Sequence, residues 1–250
     1  MFIDVHCHID QYKNIDGLLN DDVKAVVGAA IDFESGEKLL SICRQNAGFY
    51  AALGIHPEYS GNFNQLEAVK RQIEENKDEI VAIGEIGLPY YSLEGMDEME
   101  AKAVYKRALH VLDELLSLAS RLQKPVVLHA IEATAYDALA LLEKYRIESA
   151  LFHWFEGEER ALSRLIEKGY YVSVGPDVLC NKAYDDFVDK VPLENMVFES
   201  DGPWEYAGEV GVPAMVRSVA RHISNKRGIS LSRVESVAYE NTCRLYKRFF

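Results

Sequence analysis

Cysteine is scarce and dispersed. Cys7, Cys43, Cys180 and Cys243 form no C-x-x-C pair, which excludes a disulfide-stapled scaffold and a zinc knuckle and fits a reducing, cytoplasmic setting. No apolar run reaches the roughly 20 residues that cross a bilayer, and the first residues lack the basic segment and apolar core of a secretory signal. Positive charge is also short: 27 basic residues face 40 acidic ones, for a formal net charge of −13. Such a surface disfavours broad, non-specific duplex binding. A nucleic-acid substrate stays open, because a cationic metal site attracts phosphate locally. No obligatory protein partner is evident. Repeats, low-complexity tracts and linker-like stretches are absent, so residues 1–250 are expected to form a single domain.

What the chain does contain is an alternation of short apolar segments with longer segments of helical period. The strand candidates are 2–8, 23–30, 49–57, 80–88, 125–130, 149–155, 170–175 and 196–201. Helices are expected at 64–79, 97–122 and 136–146. The longest opens with Asp97 and Glu100 at capping-box spacing, and its Val104, Ala108, Val111, Leu115, Leu118 and Leu122 recur at steps of three and four. Eight strands, most followed by a helix, predict an α/β (β/α)8 TIM barrel, although the first two crossovers are short and irregular. An open doubly wound sheet is the alternative, but no glycine-rich phosphate loop follows the first strand. The closing RLYKRFF is expected to be an amphipathic last helix docking Leu245, Phe249 and Phe250.

The polar residues gather at one end of these strands. In DVHCH (4–8), alternation places Asp4, His6 and His8 on one face, with Val5 and Cys7 on the other. Later strands end in His56, Glu85, His129, His153 and Asp201. In a barrel, that end is the mouth where chemistry is done. A lone strand-end histidine is ordinarily structural, but several imidazoles and carboxylates clustered without partners would be costly to bury. Four histidines and two carboxylates suit a divalent metal site, and two ions about 3.5–4 Å apart can share and activate a water. The chemistry implied is hydrolysis. His110 and His222 fall in helical stretches and are expected to be surface or packing residues.

These residues lie in DVHCHID (4–10), GIHPE (54–58), GEIGL (84–88), PVVLH (125–129), FHWFEG (152–157), ESDGP (199–203) and ENTCRLY (240–246). In that order and spacing, they resemble the TatD family of metal-dependent hydrolases, amidohydrolase-like barrels whose members include deoxyribonucleases. The resemblance implies two divalent metal ions. His6, His8 and Asp201 would bind one, His129 and His153 the other, with Glu85 bridging. Zinc fits these ligand types best, with manganese or magnesium as the other candidates. Asp201 would also orient the attacking water and take its proton, and Glu85 and Asp201 are the catalytic carboxylates. His56 and Trp154 would contact substrate, and Asn241 and Arg244 would seat the last helix. Asp4 is expected to orient its neighbours rather than to ligate.

The departures concern substrate. Pro89 replaces a family aspartate, Ile131 stands where an arginine is common, and Trp154 and Glu156 flank His153. An arginine fork is a strong bidentate partner for phosphate, and isoleucine offers only apolar surface. The leading expectation is a phosphodiesterase acting on DNA or a smaller phosphoester. The alternatives are a lactonase, esterase or amidase on the same barrel and, from another class, a non-catalytic metal-binding protein. The segment 89–98 could form a lid, with its aromatics expected to pack on the next helix.

Overall fold

The structure, a computed structural model, describes residues 1–250. All eight expected strands form, as one parallel sheet in sequence order: β1 (Phe2–Cys7), β2 (Val23–Ala29), β3 (Phe49–Leu53), β4 (Ala82–Gly87), β5 (Val126–His129), β6 (Ala150–Phe152), β7 (Tyr171–Val174) and β8 (Met196–Phe198). Helices α1 (Phe33–Gln45), α2 (Leu66–Glu75), α3 (Glu98–Leu122), α4 (Thr134–Lys144), α5 (Glu159–Glu167) and α6 (Lys182–Val188) each follow one of β2 to β7. The architecture is a (β/α)8 barrel. The first crossover carries only a 3-10 turn, Ile9–Gln11, whereas two helices, α7 (Met215–Arg227) and α8 (Leu231–Leu245), follow β8. Both pack against β1 and so cover the place left without a helix. A small hairpin, β9 (Glu205–Tyr206) and β10 (Glu209–Val210), rises from the β8–α7 loop. No helix is long and apolar enough to cross a membrane.

Two apolar layers hold the barrel. Inside, Ile3, Val5, Ala25, Val27, Ala52, Val127, Leu151 and Val197 fill the lumen below the mouth. Outside, the helices bury their apolar stripes on the opposite strand faces. In α3 the stripe is Ala108, Val111, Leu115 and Leu118, as the spacing predicts, and the Asp97 side chain accepts from the Glu100 amide at 2.9 Å. This satisfies one of the amide donors that a helix start leaves free.

No ladder joins β8 to β1. The seam is closed just above the strands, where Asp201 N donates to His6 O at 3.0 Å and His8 N to Gly202 O at 2.7 Å. Buried Asp4 adds a side-chain stitch: its carboxylate accepts from the Ser200 amide at 3.0 Å and hydroxyl at 2.6 Å. The two strands that bear His6, His8 and Asp201 are therefore tied at the level of those residues.

The C-terminal expectation is only partly met. Leu245 is buried, but α8 stops there and Phe249 is 85% exposed. Tyr246 turns under the barrel and donates to Val5 O at 2.7 Å, while Phe250 packs edge-on against Tyr50. Asn241 does seat the helix, with its amide donating to Leu193 O and Met196 O at 2.8 Å each. Arg244 does not: it is exposed and pairs with Glu240 along the same helix. Asn241→Ala should therefore cost about 2–3 kcal/mol in urea unfolding, because it strands buried acceptors. Arg244→Ala should stay within about 0.5 kcal/mol. Equal effects would contradict this division.

Candidate metal centre

The site begins on β1, where simple alternation fails. Val5 faces the barrel interior while Cys7 packs outward with Ile9 and Leu39, and the β1–β2 register slips between Asp4 and Cys7. The expected shared face of Asp4, His6 and His8 is thus broken. The His6 and His8 rings reach the mouth, and Asp4 lies at the β1–β8 seam, where it also accepts from the His6 amide at 3.2 Å. Asp4 supports the backbone that presents His6 rather than the imidazole itself.

Glu85, fully buried in β4, is the hub. Its Oε2 lies 3.3 Å from His6 Nε2 and 3.5 Å from His8 Nε2. Asp201 Oδ1 repeats those two distances, 3.3 and 3.5 Å. On the other side, Glu85 Oε1 lies 2.8 Å from His153 Nε2 and 3.3 Å from His129 Nδ1, with those two nitrogens 3.3 Å apart. One carboxylate oxygen therefore faces each group. His56 also reaches Oε1, at 3.0 Å from its Nε2, so it belongs to the cluster's interior as well as to its substrate side.

The ring hydrogen bonds sort these histidines. His8 Nδ1 donates to Ala29 O at 2.9 Å, and His129 Nε2 to Glu58 Oε1 at 3.1 Å. In each case the nitrogen aimed at the cluster keeps its lone pair, the form a metal ligand needs. His153 Nδ1 faces Glu199 Oε2 at 3.7 Å. His56 is the reverse: its Nδ1 accepts the Glu58 amide at 3.2 Å, so Nε2 carries the proton and faces Glu85 Oε1 as a charge contact. That geometry sets His56 apart from the four ligand candidates.

The residues fit divalent ions. Both His6 ring nitrogens, both Glu85 oxygens, and Asp201 Oδ1 are buried without a hydrogen-bond partner, although such atoms are costly to leave bare. A tetrahedral ion with bonds of about 2.0–2.1 Å holds its ligand atoms about 3.3–3.4 Å apart, the spacing found here. His6, His8 and Asp201 form one ligand group, while His6 with His153, and His56 with His129, close on Glu85. The field is cation-seeking. Burial and His153 pull the His6 imidazole down, yet Glu85 and Asp201 outweigh them and raise it to about 9. Burial pushes Glu85 up, but His56, His153 and His6 hold it well below the carboxylate range.

Two acidic residues of the site escape a reading of the sequence. Glu58 follows His56 by two positions, and fully buried Glu199 precedes Asp201 by two. Glu199 Oε1 also accepts from the Trp154 amide at 2.9 Å. Trp154 stands at the rim with its ring against Tyr206 and the exposed Trp204. Its backbone, like that of Asp201 and Glu132, has positive φ, between 38° and 49°, a strained conformation for such residues. Three strand ends of the mouth thus hold bent backbone. Tyr90 and Tyr91 are exposed rather than packed on α3. His110 is exposed on α3, and His222 pairs with Asp185 at 2.8 Å, away from the cluster.

Fold and site together define a metal-dependent hydrolase of the (β/α)8 class. The chain belongs to the TatD-related DNase family, whose model matches residues 3–247. It is 27% identical to an uncharacterized metal-dependent hydrolase of Haemophilus influenzae, over 99% of this chain and all of the relative. It is 28% identical to the human deoxyribonuclease TATDN3, over 98% of this chain and 94% of that protein. The crystal structure of YjjV, a TatD homologue of Escherichia coli, superposes with a TM-score of 0.82 at 25% identity, covering 98% of each chain.

With its imidazole held near 9, His6 carries a proton at neutral pH that a bound cation must displace. Zinc titration of metal-free protein near pH 7.5, in buffers of differing ionisation enthalpy, should show release of about one proton or more. Affinity should fall as the pH is lowered. Uptake with no proton release would contradict the charge balance described.

Proposed function

We propose that the protein hydrolyses phosphodiester bonds, in DNA or a smaller nucleotide compound, with two divalent cations held either side of Glu85. The observation that carries this reading is the division of Glu85: Oε2 faces His6 and His8, the two imidazoles that Asp201 Oδ1 also approaches, and Oε1 faces His129 and His153. Zinc suits the imidazole-rich donor set, with manganese or magnesium the other candidates. The nature of the bond rests on the family and on the name of the human relative.

When bound, such a pair of cations lowers the pKa of a shared water and stabilises charge developing on phosphoryl oxygens. The protein's own groups do the rest. Glu85 fixes the separation of the two ligand groups. His8, held by Ala29 O, presents Nε2 in a set orientation. Asp201, beside His6 and His8 at the rim, takes the proton of the attacking water at its carboxylate. His56 presents Nε2 to Glu85 Oε1 at 3.0 Å and helps to hold that carboxylate charged. Trp154 borders the rim where substrate enters.

A second reading, a small ester, lactone or amide as substrate, is favoured by the mouth's chemistry. Ile131 is buried, and Glu156 is pushed up by its burial and by nearby Asp177 and Glu132. Such a surface is poorly suited to a long polyanion. A labelled single-stranded oligonucleotide, assayed beside an ester and lactone panel, separates the two. The expected result is metal-dependent cleavage of the oligonucleotide, abolished by chelation and lowered at least about 100-fold in Asp201→Asn. Cleavage of a lactone but no oligonucleotide would transfer the assignment to the second reading. Oligonucleotide cleavage unaffected by Asp201→Asn would contradict the site.

A further inference from the structure

The β4–α3 loop carries a 3-10 turn, Tyr91–Leu93, and Tyr91 and the preceding Tyr90 face outward beside the metal centre. The Tyr91 ring centre is 6.4 Å from that of His129. What holds this turn is one side chain from another loop. Glu58 Oε1 accepts from the Tyr90 amide at 2.8 Å and the Tyr91 amide at 3.1 Å, and Oε2 from the Ser92 amide at 2.7 Å. The same Oε1 receives the Nε2 proton of His129 at 3.1 Å. Four donors thus converge on one carboxylate whose side chain is only 13% exposed. Three successive amides make a concave donor surface suited to an anion, and here the anion belongs to the protein.

We infer that Glu58 is a positioning residue that couples the Tyr90–Ser92 turn to the metal ligand His129. It receives the Nε2 proton of His129 and so leaves Nδ1 open toward Glu85 Oε1. It also sets where Tyr90 and Tyr91 stand at the mouth. Because the same oxygen serves both, movement of the turn and orientation of the imidazole are linked. Glu58 further donates its own amide to His56 Nδ1, so this short stretch fixes two of the histidines around Glu85. The inference rests on the dinuclear reading above, and it concerns only the His129–His153 side of the centre.

A carboxamide cannot serve this position. If its oxygen faces the Tyr90 and Tyr91 amides and His129, its NH2 group meets the Ser92 amide. If it is turned the other way, the NH2 group meets the remaining donors. Glu58→Gln tests the coupling, with Glu58→Asp and Glu58→Ala beside it and thermal melts to establish folding. In zinc titrations against a competing chelator, wild type should show two binding events. Glu58→Gln should weaken the second by about 10–100-fold, the usual effect of removing a ligand's hydrogen-bond partner, and leave the first within about twofold. In metal-free protein, amide exchange at residues 90–92 should accelerate by at least about tenfold. Glu58→Asp, one methylene shorter but still charged, should recover more of the second-site affinity than Glu58→Ala.

Second-site affinity unchanged in the folded variants would overturn the coupling. So would equal weakening of both sites, which would make Glu58 merely structural. His129→Ala separates this from the reading beneath it. If that variant still binds two ions as tightly as wild type, the metal assignment fails. If it loses one ion while Glu58→Gln loses none, the coupling alone fails.

Discussion

A buried carboxylate surrounded by imidazoles governs this protein. Glu85 sits at zero exposure with both oxygens short of conventional hydrogen bonds, and five imidazole nitrogens lie within 3.5 Å of it. An isolated charge in such a place would be prohibitively costly. It is tolerable only with cationic partners, whether protons shared among the histidines or divalent ions. The barrel supplies the geometry: the ligand candidates come from the ends of β1, β4, β5, β6 and β8, with His6 and His8 sharing the end of β1, and each strand is fixed by an apolar face on either side. That division of labour leaves the mouth free to accumulate polar and strained residues without loss of the core.

The seam between β8 and β1 is the second constraint. The ladder ends there, and its closure is entrusted to the amides of His8 and Asp201 and to the carboxylate of Asp4. The hydrogen bonds that close the barrel are therefore the ones that place three ligand candidates. Stability and site geometry share those bonds, and α7 and α8 back them where the first crossover provides no helix. Asn241 and Tyr246 extend the same logic below, tying the last helix to the base of β8 and β1.

Much of this was legible in the sequence because histidine and glutamate stand out against apolar strands. His6, His8, Glu85, His129, His153 and Asp201 all fall at one end of the sheet, and the family resemblance supplied their grouping. What stayed hidden depends on contacts between distant loops. Glu58 lies 71 residues from His129, and although it closes the GIHPE stretch, the partners that give it a role lie in other loops. Glu199 was masked by the more conspicuous Asp201. The slip in β1 overrode strict alternation, which is why Asp4 left the face of His6. Phe249, apolar and near a helix, lies beyond the last turn and finds no surface to cover it.

The most direct test of a centre divided by Glu85 is anomalous diffraction from a zinc-loaded crystal. Two peaks should appear about 3.5–4 Å apart, one bounded by His6, His8 and Asp201 and the other by His129 and His153, with one Glu85 oxygen on each. A single fully occupied peak, or two peaks with Glu85 turned away from both, would contradict the account.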